Sequence, residues 1–246
     1  MTINELLKTL ATGQTLSNVY VILGQADYFQ RRLKRGFKQQ VPAEEQTMNF
    51  ASYDMDTVPL AVALDDAMAA PFFGERRVVC IDNPQFLTGE TKKQKVEHDI
   101  DSLQKYLESP MPSTVLVFFA PYDKLDARKK VTKQLKKVAT MVEINQFSER
   151  DVRQCVTDQL KQDGYTMEPA ALNDLIQRTD ADLTLIMSEL PKLELYTLPE
   201  KTITQAAISG LVTQTLTQNV FDLVNRVLAK NTAGAVTLYR ELLQAK

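Results

Sequence analysis

Asn18-Val19-Tyr20-Val21-Ile22-Leu23-Gly24 decides how the rest of the chain reads. A β-branched apolar run closed by glycine predicts a strand buried on both faces, the environment of a parallel sheet. Similar runs occur at Arg76–Asn83 and at Ser113–Ala120, the strongest strand signal in the chain, with a closing strand over Ala139–Asn145. Thr47–Tyr53 alternates like a further strand. Helical patterns lie between them: Leu6, Leu7 and Leu10, ending near Gly13; Gln25–Leu33, with Asp27 as the expected cap; Leu60, Ala63, Leu64, Ala67 and Met68; Ile100, Leu103, Tyr106 and Leu107, ending before Pro110; and Asp123–Lys137. Strands alternating with helices over residues 1–146 predict an α/β domain with a doubly wound parallel sheet.

A strand, a glycine and a helix start is where such domains hold phosphate, and the P-loop pattern G-x-x-x-x-G-K-[ST] is missing here. After Gly24 the chain runs Gln25-Ala26-Asp27-Tyr28-Phe29-Gln30-Arg31, with no second glycine and no Lys-Ser/Thr pair. The backbone cradle, the phosphate lysine and the magnesium hydroxyl therefore lack their residues. Asp82 ends a strand where a P-loop enzyme holds magnesium, but with no P-loop opposite it a structural role is favoured.

The 246 residues, 44% hydrophobic and 24% charged, suit one large or two ordinary soluble domains with a real core. A net charge of −2 means that any nucleic-acid affinity must come from a local patch. No apolar run approaches the roughly 18 residues of a membrane span, and Met1–Glu5 shows no secretory signal. Only Cys80 and Cys155 are present, so a reduced, cytoplasmic setting is expected. With one histidine, His98, a His/Cys metal site is not expected.

Beyond Phe147 the strand signals fade. Ser148 with Asp151 reads as a capping box opening a helix to Gln162 that Gly164 closes. Pro169 starts a second helix, ended by Thr179-Asp180. A third carries Leu183, Ile186, Met187, Leu190 and Leu193, with Pro191 kinking it, and Pro199–Thr202 reads as a connector. Residues 147–207 are thus expected to form a three-helix domain. Residues 208–246 hold two amphipathic helices, Val220–Leu228 and Val236–Leu243, that cannot bury their apolar faces against each other alone.

Ala67-Met68-Ala69-Ala70-Pro71-Phe72-Phe73-Gly74-Glu75-Arg76-Arg77 ends one helix at a proline and places two phenylalanines before a glycine. The pair suits a plug for a partner's apolar pocket; buried in the core, it is ordinary filling. The helix read over 124–137 carries Lys124, Arg128, Lys129, Lys133, Lys136 and Lys137, a face that suits phosphates or plain solvation about equally. Gly89–Lys95 reads as a lysine-rich loop.

Together these pieces resemble the delta-subunit family of the bacterial DNA polymerase III clamp loader. Five stretches carry the resemblance in the family's order: Val19–Gly24; Ala67–Arg77; Lys124–Lys130; Asp182 with Glu189–Tyr196; and Val220–Leu223 through Leu242-Leu243. The resemblance implies an AAA+-like domain without a P-loop, a helical lid and a C-terminal collar domain that runs longer in the family, of which 208–246 is the start. It implies no catalytic residue, cofactor or metal on this chain, although the DNA polymerase III holoenzyme is a nucleotidyltransferase. The implied partners are the beta sliding clamp, the delta-prime and tau/gamma subunits, and primer-template DNA in the assembled loader. By the same resemblance Phe72 and Phe73 are the clamp-binding plug, shaped by Met68 and Pro71, and the six basic residues are candidate DNA contacts. The competing readings are an ATPase of the same fold and a nucleic-acid-binding scaffold using the basic helix 124–137.

Overall fold

All five residues of Val19–Leu23 (β1) and all seven of Thr114–Ala120 (β4) are buried, as strands covered on both faces require. A computed structural model describes residues 1–89, 96–144 and 147–244. The loop read over Gly89–Lys95 lies, beyond Gly89, outside the described residues. The chain divides into two compact units, Met1–Gln146 and Phe147–Lys246.

In the first unit helix α1 (Ile3–Thr12) precedes β1 and α2 (Asp27–Lys38) follows it. A one-turn helix α3 (Gln46–Asn49) leads into β2 (Phe50–Asp54), and α4 (Leu60–Met68) into β3 (Arg77–Asp82). Helix α5 (Ile100–Glu108) precedes β4, and α6 (Lys130–Val138) precedes β5 (Thr140–Glu143). The five strands form one sheet in the order β2-β3-β4-β1-β5, every neighbouring pair parallel. The α/β parallel-sheet expectation is met.

Alternate strand residues serve opposite faces. Val19, Val21, Leu23, Val79, Ile81, Leu116 and Phe118 pack with Leu60 and Leu64 of α4, Leu103 and Leu107 of α5 and Leu135 of α6. On the other parity, Tyr20 and Phe119 meet Phe37 of α2 edge-to-face at centroid distances of 5.1 and 6.5 Å. Cys80, wholly buried in β3, has its thiol pushed up by that burial.

Three local expectations are corrected. The strand read from Thr47 begins only at Phe50, because residues 46–49 close a helical turn whose last side chain, Asn49, is turned inward. Asp27 does not cap α2: the cap position is Ala26, and the Asp27 carboxylate pairs with Arg31 one turn on. The helix read from Asp123 starts at Lys130. Upstream of it, Asp126 accepts the Arg128 backbone N–H at 3.0 Å and the Asp126 N–H reaches the Leu87 carbonyl at 2.9 Å, a turn that buries Leu125.

In the second unit the capping box is formed. Helix α7 (Glu149–Asp163) starts at Ser148 with Asp151 bonding back, and Gly164 ends it at φ 79°. Helix α8 (Pro169–Arg178) begins on its proline, and α9 (Leu183–Tyr196) runs unbroken through Pro191. The connector read over Pro199–Thr202 is a turn up to Lys201; at Thr202 a short strand begins, where β7 (Thr202–Ile203) pairs in parallel with β6 (Thr166–Met167). More than three helices begin before residue 208. Helix α10 (Gln205–Leu211) runs across that position, its Ala207 and Ile208 buried as it packs on α8 and α9. Helices α11 (Leu216–Leu228) and α12 (Thr232–Gln244) follow and pack on each other. No helix among the described residues is long and apolar enough to cross a membrane.

Candidate functional site

Helix α4 ends three residues before Pro71, its last turn closed by an Ala69 N–H to Asp66 carbonyl bond of 3.2 Å. Proline removes a donor and disfavours helical geometry in the preceding residue, so the chain leaves the helix here. The tip that follows carries the most exposed large hydrophobic side chain among the described residues of the first unit: Phe73 is 92% exposed and Phe72 51%. Their rings meet edge-to-face at 4.5 Å. Met68, at the end of α4, is also 51% exposed, and Pro71 is half-buried. Neither phenylalanine turns inward to fill the core. Phe73 sits at φ 56°, a left-handed backbone uncommon for a bulky residue.

Beneath the tip, Arg77 at the start of β3 forms an ion pair with Asp66 of α4 and reaches the Ala70 carbonyl at 3.4 Å. Tyr53 of β2 donates to the other Asp66 oxygen at 3.2 Å. Burial, with the Asp66 charge next, holds the Tyr53 hydroxyl above its ordinary range, so it stays a donor. Asn49 bonds the Phe72 backbone. A Cβ on Gly74 would fall on the Glu45 carboxylate, which must then swing aside, and within 2.9 Å of Asn49 Nδ2. Sequence reasoning found Pro71–Gly74 but missed Asn49, Asp66 and Tyr53, whose contacts are long-range and leave no local pattern.

The tip joins the start of β3, and Asn49 stands just before β2, so this site lies at the amino-terminal edge of the sheet. At the opposite edge, where open α/β sheets bind ligands, β1 ends in a three-residue turn, Gly24–Ala26. The Gly24 N–H is used by the Ala120 carbonyl at 2.9 Å, and the Gln30 side-chain amide closes on the Gly24 carbonyl. Gln25 donates to Asp123 at 3.1 Å. Asp82 accepts from Lys34 and Ser52, each at 2.6 Å. No group of three His, Cys, Asp or Glu side chains able to hold a metal occurs among the described residues.

The six basic candidates do not form one helical face. Lys133, Lys136 and Lys137 are exposed on α6, while Lys124 and Arg128 are exposed in the loop before it. Arg128 is bonded bidentately to Asp126, at 3.0 and 2.8 Å, and these side-chain bonds, with the Arg128 backbone bond, hold the Asp126 carboxyl well below the usual carboxylate range. Lys129 donates to the Phe86 carbonyl at 2.7 Å.

The sequence profile of the family described as "DNA polymerase III, delta subunit" matches residues 20–145. A Bacillus subtilis DNA polymerase III subunit delta is 34% identical over 241 residues, 98% of this chain and 69% of that protein. The chain belongs to the DNA polymerase III delta-subunit family. A probable DNA polymerase III subunit delta of Aquifex aeolicus is 26% identical over 249 residues, 98% of this chain and 68% of its own length. Among solved structures, the Bacillus subtilis DNA clamp loader delta protein matches at 33% identity with a TM-score of 0.73, over 99% of this chain and 72% of that one. A Thermotoga maritima RuvB variant, 13% identical with a TM-score of 0.50 over 85% of this chain and 65% of its own, is alike in fold alone. Both edges of the sheet therefore belong to a delta-family chain.

Proposed function

We propose that this chain is a non-catalytic clamp-loader subunit. It docks the tip formed by Met68, Pro71, Phe72 and Phe73 into an apolar pocket of the DNA polymerase III sliding clamp and opens the ring for loading onto primed DNA. The observation that carries the reading is the outward, ring-on-ring presentation of Phe72 and Phe73 on a braced loop of a delta-family protein. Buried aromatic anchors at the centre of an interface commonly contribute about 2 kcal/mol or more each. Ring opening needs no bond chemistry: a subunit that binds the opened or strained clamp interface better than the closed one shifts the population towards it.

The internal use of the Gly24 N–H and carbonyl supports a role without nucleotide hydrolysis. Asp27 in the first turn of α2 would also repel a phosphate at that helix start. In this reading ATP is handled by the tau/gamma subunits, delta-prime is the other loader partner, and residues 208–246 begin the collar that joins them. The test is binding of the chain to a bacterial sliding clamp without ATP, for the parent and for Phe72→Ala/Phe73→Ala. Tight binding by the parent and none by a folded double variant is expected. No binding by the parent to a species-matched clamp overturns the proposal.

A secondary DNA contact through Lys133, Lys136 and Lys137 is favoured by their exposure along one short helix. Lys124 adds to it, and Arg128 and Lys129 contribute less because their charges are already engaged. Lysine-to-glutamate replacements on α6 in a reconstituted loader are expected to weaken primer-template binding and flatten its salt dependence; an unchanged salt slope removes this contact.

A further inference from the structure

Asn49 is wholly buried, yet it sits beside the most exposed aromatic of its unit. Its Oδ1 accepts the Phe72 N–H at 2.7 Å and its Nδ2 donates to the Phe72 carbonyl at 2.9 Å. One carboxamide therefore closes both backbone groups of a residue 23 positions away, as a neighbouring strand would. The remaining Nδ2 proton faces the Glu45 carboxylate at 3.3 Å. This pattern fixes the amide orientation, since only one way round puts an acceptor on the N–H and a donor on the carbonyl.

Across Ala70–Glu75 no backbone-to-backbone hydrogen bond appears among the described residues. The tip thus lacks the ladder that holds most buried backbone, and a side chain supplies it. The next residue, Phe73, adopts a left-handed conformation that is unfavourable for a residue other than glycine. Such a conformer persists only where its surroundings over-determine it, and the two bonds to Phe72 lie immediately upstream. Gly74, on the other side, leaves room for the Glu45 and Asn49 head groups.

We infer that Asn49 is a positioning residue: its carboxamide clamps the Phe72 backbone and so holds Phe73 in its presenting conformation before any partner arrives. The purpose of this brace rests on the clamp-docking reading above; its geometry does not. A tip held ready avoids the loss of affinity that follows when only a fraction of molecules is competent to bind. If removal of the carboxamide leaves about a tenth of the tips in the presenting conformation, the apparent affinity falls about tenfold. That loss falls on the association rate, with dissociation changed less than about twofold.

The experiment pairs backbone amide hydrogen exchange with clamp-association kinetics on the whole chain, for the parent, Asn49→Ala and Gly74→Ala. The second variant places a methyl group within 2.9 Å of Asn49 Nδ2 once the Glu45 carboxylate has swung aside, and so carries the test if Asn49→Ala fails to fold. In the parent the Phe72 amide is expected to exchange at least about tenfold more slowly than the Phe73 amide. In the variants that protection is lost while β3 and β4 amides keep theirs, and association slows about tenfold. Equal exchange at Phe72 and Phe73 in the parent overturns the brace, as does parent-like association by a folded variant. A parent that shows the Phe72 protection, loses it on substitution and binds no clamp upholds the brace and defeats the docking reading instead.

Discussion

Truncating Phe73 to alanine is expected to abolish docking while leaving the fold intact, and the exposures set the size of each effect. A phenylalanine side chain offers about 200 Å². At 92% exposure about 180 Å² of Phe73 is free to be buried by a partner, worth about 4.5 kcal/mol at about 25 cal/mol per Å². Phe72, at 51%, has about 100 Å² left to bury, worth about 2.5 kcal/mol by the same conversion. Phe73→Ala should therefore weaken clamp binding by roughly two-thousandfold and Phe72→Ala by several tens of times. Stability should rank the other way. Phe73 contributes little packing to the free chain, so its removal falls within about 0.5 kcal/mol, whereas Phe72→Ala costs about 1 kcal/mol. Surface plasmon resonance against immobilised clamp, with urea unfolding of the same preparations, measures both rankings. Refutation would be a Phe73→Ala chain that binds like the parent, or one destabilised by more than about 2 kcal/mol, which belongs to a core residue.

Three further outcomes test the support of the tip and the second unit. The neutral His98 ring accepts the Leu60 N–H at the start of α4 at 3.2 Å, and burial holds its pKa below 6.5. Its contribution to stability is thus complete above about pH 6.5 and lost as pH falls towards the folded-state pKa; melting temperatures at pH 7.5 and 5.5 should show this, and less so for His98→Gln. Asp66→Ala leaves the Arg77 guanidinium, only 11% exposed, without its carboxylate, at a cost of about 3 kcal/mol in urea unfolding. Gly164→Ala meets no neighbour within 4 Å but must adopt φ 79°, so about 1 kcal/mol is lost through backbone strain alone, measured as a lower midpoint of unfolding of the second unit.

Features decided within a few residues were legible in the sequence. The all-buried strands at Val19–Leu23 and Thr114–Ala120 show as unbroken apolar runs, and the Ser148–Asp151 box and Gly164 stop are local chemistry. The Pro71–Gly74 punctuation marked the tip for the same reason. What escaped depends on distant partners. The Thr47–Asn49 alternation gives way to a helical turn whose last side chain serves Phe72. The basic run before Lys130 is pulled out of helix by Asp126 and by the Lys129 bond to Phe86, 43 residues away. The two-residue strands Thr166–Met167 and Thr202–Ile203, 36 positions apart, are too short to show a period. Exposure of the phenylalanines could not be read either, because an apolar pair has the same local signature inside and out.

The placement of the tip has a consequence for how such a chain changes over time. The turn at Gly24–Ala26 and the tip at Phe72-Phe73 sit at opposite ends of the same five strands, with a rigid sheet between them. Substitutions that erase a phosphate cradle at one end need not disturb the other, because their supporting contacts share no residue: Ala120 and Gln30 there, Asn49, Asp66 and Arg77 here. A fold with such separable ends can retire one trade and keep, or refine, a second without passing through an unfolded ancestor. Exchanging residues 68–75 between relatives, with Asn49 kept beneath them, should accordingly transfer partner choice and leave the Gly24 end untouched.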